Sequence, residues 1–219
     1  MNANDGPPAG DLIGVGAGAG AAGRTATARR GERLGGAALP IPPGSLWGVG
    51  KPETSRSFVY VLDRSGSMQD SFHLLQRELI SAIHSLSSEQ SFNVIWFSAG
   101  PCEMLSPSLL PASADNKQFA FDAIRRIIPG GQTQPLDAVR RGLAQRPDVL
   151  YLLSDGDFAD QNEPILDLLR ATPREKRPIV HTILFLFDAG LAGRGVLRQI
   201  AELGGGTFKH VTEDEVGLR

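Results

Sequence analysis

Between Ser57 and Val211 the chain alternates short apolar runs with longer stretches whose apolar residues recur every three or four positions. Ser57–Leu62 (SFVYVL), Ser91–Phe97 (SFNVIWF), Asp148–Leu153 (DVLYLL) and Ile179–Phe187 are runs of aliphatic, aromatic and β-branched residues, the pattern of strands buried on both faces. Met68, Phe72, Leu75, Leu79, Ile83 and Leu86 are spaced by four, three, four, four and three, so they line one face of a helix. Helical spacing returns from Phe119 to Ile128 and stops at Pro129-Gly130-Gly131. A further helix is predicted from Thr133 or Gln134, with Pro135 in its first turn, where the missing N–H costs nothing. Others are predicted over Glu163–Ala171 and near Gly195–Leu203. Met104–Leu105 reads as a short edge strand. Thr207–Val211, after Gly204-Gly205-Gly206, reads as the closing strand. Strands alternating with helices predict an α/β fold, a doubly wound and mainly parallel sheet with helices on both faces.

The first 50 residues break this pattern. They hold 13 of the 26 glycines together with Pro7, Pro8, Pro40, Pro42 and Pro43, a composition that buries too little apolar surface to offset the entropy of ordering it. Residues 1–52 are therefore read as a flexible Gly/Ala/Pro-rich arm and 53–219 as the folded domain. Leu12 to Gly23 is mildly apolar, but Asp5 and Asp11 precede it where a signal peptide carries basic residues.

Charge narrows the partners. With 22 Lys+Arg against 24 Asp+Glu the formal net charge is −2, which argues against a nucleic-acid binder held by bulk electrostatics. A single cysteine, Cys102, excludes an internal disulfide framework or a CxxC pair, so the fold does not depend on an oxidising compartment. The longest apolar run falls well short of the ~20 residues of a membrane span. The expectation is a soluble monomeric domain without direct membrane insertion. A cytoplasmic location is favoured, or a membrane tether if the native chain is longer at the N-terminus.

In an open parallel sheet ligands bind at the carboxyl ends of the strands, so the loops at those ends are where chemistry is sought. The first strand runs into Asp63-Arg64-Ser65-Gly66-Ser67. The loop before the Pro135 helix is Gly130-Gly131-Gln132-Thr133. The strand Asp148–Leu153 runs into Ser154-Asp155-Gly156-Asp157. Two carboxylates and three hydroxyls, with no sulfur or imidazole, suit a hard cation such as Mg²⁺ or Mn²⁺ rather than Zn²⁺.

Asp63-x-Ser65-x-Ser67, then Gly-Gly-x-Thr with Thr133, then Asp155-Gly156 after an apolar strand, resembles the von Willebrand factor A domain family and its metal-ion-dependent adhesion site. The resemblance spans residues ~57–212. It implies a Rossmann-like fold and a Mg²⁺ held by Ser65, Ser67 and Thr133, with Asp63 and Asp155 acting mostly through waters. It also implies a binding module that engages an Asp or Glu of a protein partner through the ion. Two features bear on how far it extends. Switching members slide a C-terminal helix, and the residues from Thr212 to Arg219 are too few for one. Bacterial members with Gly-rich lead-ins are often tethered to a membrane upstream.

Each residue also has a plainer reading. Asp63 alone suits a helix N-terminus, and Thr133 suits the N-cap of the Pro135 helix. Asp157 and Asp160 suit a solvated rim, as does Arg64, which alternatively selects an acidic partner alongside Gln132. His73, His84, His181 and His210 lack ligand spacing and read as packing or surface, and Cys102 as a passive thiol. The competing class is an enzyme, a Mg²⁺-dependent phosphoryl-transfer or phosphatase domain with Asp63 as nucleophile. Ser65 stands where such an enzyme wants its second acid, and no catalytic Lys or Arg is well placed.

Overall fold

The computed structural model describes residues 41–50, 55–156, 158–186 and 190–217. Five strands, β1 (Ser57–Asp63), β2 (Ser91–Phe97), β5 (Val149–Ser154), β6 (Ile179–Phe185) and β7 (Gly205–Val211), pair in parallel in the spatial order β2-β1-β5-β6-β7. Two antiparallel pieces, β3 (Glu103–Met104) and β4 (Leu110–Pro111), pair with the outer side of β2. The helices α1 (Phe72–Ser85), α2 (Ala114–Arg126), α3 (Leu136–Ala144), α4 (Asn162–Ala171) and α5 (Gly190–Leu203) form the crossovers. This is the doubly wound α/β architecture expected.

Alternation along β1 explains the two layers. Phe58, Tyr60 and Leu62 pack under α1 and α2, while Val59 and Val61 pack under α3, α4 and α5. With water excluded from both faces, β1 is apolar from Phe58 to Leu62 and β5 from Val149 to Leu153, which is why they read as continuous runs. The chain leaves β1 for β2 on one side and returns to β5 on the other, so the carboxyl ends of β1 and β5 flank the topological switch point.

Some boundaries differ from expectation. Met68 is fully buried but belongs to a single 3₁₀ turn, Gly66–Met68, and α1 begins only at Phe72. The apolar stripe is continuous although the helix is not. α2 starts earlier than its apolar spacing, because Ser113 caps it by accepting from Asn116 N at 3.3 Å and its first turn is polar. β4 carries no pattern of its own. The triple glycine does more than stop a helix: a Cβ on Gly204 or Gly206 would overlap Val180, so β7 reaches β6 only without side chains there.

Most of the arm expected at 1–52 lies outside the described residues, as do Asp157 and Phe187. Its last part differs from the expectation, because residues 41–50 pack on the α1 face of the sheet. Leu46 is 0% exposed and Val49 is buried; Tyr60 and Tyr151 each donate a hydroxyl hydrogen bond at 2.7 Å, to Gly44 O and Val49 O. Lys209 Nζ donates to Trp47 O, and Trp47 N donates to Glu78. The composition missed this because side chains of the folded domain anchor the segment's backbone, a signal with no local period. Among the described residues no helix is long and apolar enough to cross a membrane.

Candidate metal centre at the switch point

Asp63 ends β1 opposite Phe97, and Leu62 pairs with Leu153 of β5, so the next step along β5 brings Ser154 beside Asp63. Ser154 Oγ donates to Asp63 Oδ2 at 2.6 Å, while Ser65 N donates to Asp63 Oδ1 at 2.8 Å. Asp63 is 0% exposed and Asp155 7% exposed. Ser65 is buried and Ser67 exposed, with their hydroxyls 3.0 Å apart. Ser67 stands near enough to Asp155 to favour its charged form, which brings the β1 loop beside the β5 loop.

The third loop is stitched to the first by its backbone. Gly66 N donates to Gly131 O at 3.0 Å and Gly130 N donates to Arg64 O at 2.7 Å. Gly131 sits at φ +88 with a would-be Cβ 3.3 Å from Ala99, so this crossing requires glycine. Thr133, two residues on, is half-buried on the same loop. Thr133 does not cap α3: the N-cap is Pro135, and Leu136 N donates instead to Gln161 Oε1 at 2.9 Å. Its hydroxyl is thus not committed to the helix, contrary to the plainer reading.

Electrostatics distinguish the site from an ordinary loop cluster. Burial pushes the Asp63 carboxyl up from 3.8 to about 6, with the nearby Asp155 charge adding to the rise and hydrogen bonds from Ser154 and Ser65 opposing it. Burial also raises Asp155, opposed in part by the Ser67 hydroxyl. Among the described residues no cationic side chain is one of the influences on either group. Two buried carboxylates of like charge, faced by neutral hydroxyls, are left for a bound cation to compensate. Among the described residues no three His, Cys, Asp or Glu side chains cluster, so the donors here are mainly hydroxyls.

Ser154 is a site residue outside the motif; its sequence signal is a hydroxyl one residue before Asp155, and the β1–β5 register sets it beside Asp63. Asp160 is exposed on a 3₁₀ turn, His181 is buried in β6 with Nδ1 accepting from Thr207 N at 3.0 Å, and Cys102 lies apart beside Asp137.

Residues 58–157 match the family model of the von Willebrand factor type A domain, a span that holds all five expected ligands. Inter-alpha-trypsin inhibitor heavy chain H3 of Bos taurus is 26% identical over 177 residues, covering 70% of this chain and 20% of the relative. The chain thus spans about a fifth of that protein's length. Among solved structures, a von Willebrand factor type A protein from Catenulispora acidiphila aligns at TM-score 0.57 and 21% identity, over 75% of this chain and 42% of that one. The pilus adhesin SpaC of Lactobacillus rhamnosus GG, in an open conformation, aligns at TM-score 0.60 and 14% identity, over 78% of this chain and 29% of that one. At these identities the structural likeness is one of fold.

Proposed function

We propose that this chain, which carries a von Willebrand factor type A domain, is a Mg²⁺- or Mn²⁺-dependent protein-binding module rather than an enzyme. The observation that carries the reading is the pair of buried carboxylates, Asp63 and Asp155, with the Ser65, Ser67 and Ser154 hydroxyls beside them and no cationic side chain of the described residues among the influences on either. Ser65, Ser67 and Thr133 would be the direct ligands. Asp63, whose oxygens already accept from Ser65 N and Ser154 Oγ, would act from one shell out, as would Asp155. Bound there, the ion would supply an electrophilic coordination position for an Asp or Glu of a protein partner. Neutral hydroxyl ligands leave more positive charge on the ion than carboxylates would.

The chain's own residues do the rest. Gly130 and Gly131 lock the Thr133 loop to the Ser65–Ser67 loop, and Ser154 orients Asp63. The phosphoryl-transfer alternative loses support from the same geometry, because a nucleophilic Asp63 must present an oxygen to substrate and this one is fully buried. Calorimetric titration of Mn²⁺ tests the proposal: one site is expected in the wild-type chain and none in Asp63→Ala. Undiminished affinity in that variant would move the metal elsewhere and refute it.

A further inference from the structure

Ile128 is 77% exposed, and with Ile41 and Phe119 it is one of the large hydrophobic side chains most open to water among the described residues. A single exposed isoleucine means little, but this one is joined to the candidate metal centre. Its carbonyl accepts from Arg64 Nη1 at 3.4 Å, and two residues later Gly130 N donates to Arg64 O at 2.7 Å. Arg64 stands between Asp63 and Ser65, with its side chain 24% exposed. Its Nη2 lies 3.9 Å from Glu103 Oε2, a loose pair whose acid is 56% exposed, and its Nε is out of water with no hydrogen-bond partner among the described residues. Nη1 and Nη2 each carry a second N–H, so the guanidinium can still grip an incoming carboxylate through these two parallel bonds once Glu103 gives way. Glu103 is loosely enough held to give way.

Resting on the metal-binding reading above, we infer that this edge of the rim selects the partner segment: the acidic residue directed at the ion is flanked by a branched apolar residue that covers Ile128 and by a second acidic residue that pairs with Arg64. Charge complementarity fixes the class of partner. A basic segment would meet the Arg64 charge, and a purely polar one would leave Ile128 in water.

The test uses the full Mn²⁺-loaded chain and blocked synthetic pentapeptides, with affinity read by fluorescence anisotropy. The reference is Gly-Gly-Asp-Gly-Gly. Against it stand peptides with Leu on one side of the Asp, Glu on the other, or both, each in both orders because the chain direction is open. Leu and Glu are each expected to tighten binding about three- to tenfold, judged from buried apolar area and a partly exposed ion pair. In I128S the ratio between Leu-containing and reference peptides falls to ~1 while the Glu ratio persists, and R64Q gives the converse. Equal affinity for all peptides, or no peptide binding to a chain that holds Mn²⁺, overturns the inference and leaves the metal site standing. Failure of Mn²⁺ to bind strikes the underlying reading and removes the inference with it.

Discussion

In the ion-free domain Asp63→Asn should stabilise the fold, and the gain should depend on pH. Asp63 carries its proton up to about pH 6 in the folded chain, against an ordinary 3.8. Below ~4 the carboxyl is protonated in both states and is not penalised. As pH rises from ~4 to ~6 the unfolded chain ionises while the folded chain holds its proton, so the stability of the fold falls through that window and stays lower above it. The rise from 3.8 to about 6 corresponds to about 3 kcal/mol. Asparagine carries no charge at any pH, keeps an oxygen for Ser65 N, and turns an N–H₂ toward Ser154, whose own hydrogen then lacks its carboxylate. That loss costs ~1 kcal/mol. The net expectation is a gain of about 2 kcal/mol at pH 7.5 and little or none at pH 4.5. Urea denaturation of both chains in EDTA at the two pH values measures the difference, in which the other titrating groups largely cancel. A variant that is destabilised at pH 7.5, or whose difference from wild type is equal at both pH values, would refute the claim that burial of an uncompensated charge governs this site.

The domain should remain folded in EDTA, since its two hydrophobic layers close without an ion. Saturating Mg²⁺ should add about 2.7 kcal/mol at 100 times Kd, read as a rise in Tm; a chain unfolded by EDTA in circular dichroism would make the ion structural. Ser154→Ala removes the donor to Asp63 Oδ2 and should cost about 1–3 kcal/mol, while moving the pH midpoint of Mn²⁺ binding upward; an unmoved midpoint would deny Ser154 its role. Leu46→Ala should cost about 2–5 kcal/mol in denaturant unfolding because the side chain is fully buried; no loss would return residues 41–50 to the arm.

What the sequence revealed follows from where water is excluded. β2 has the expected bounds and β1 extends the expected run by one residue, Asp63, because strands buried on both faces are mostly apolar and stand out as runs. The candidate site was legible as loops, since Asp63, Ser65, Ser67, Thr133 and Asp155 are small oxygen-bearing residues at strand ends and in a glycine turn. Their mutual geometry was not. The Ser154 contact with Asp63 depends on the register of β1 against β5, and the release of Thr133 from capping depends on Gln161, 25 residues beyond Leu136. Met68 shows the opposite limit, in that a burial pattern persists across a 3₁₀ turn that it cannot distinguish from a helix. Leu46, Trp47 and Val49 lie among glycines and prolines, and what orders them is hydrogen bonding to Tyr60, Tyr151, Glu78 and Lys209, all distant in sequence.

The central claim is that the three loops hold one divalent ion chiefly through hydroxyls. A crystal of the domain grown with Mn²⁺ and measured near the manganese absorption edge tests it most directly. The account predicts one anomalous peak at the switch point, within about 2.2 Å of the side-chain oxygens of Ser65, Ser67 and Thr133, with Asp63 and Asp155 farther from the ion than these hydroxyls. A peak bound directly by both carboxylates, a peak elsewhere, or no peak at saturating Mn²⁺ would contradict it.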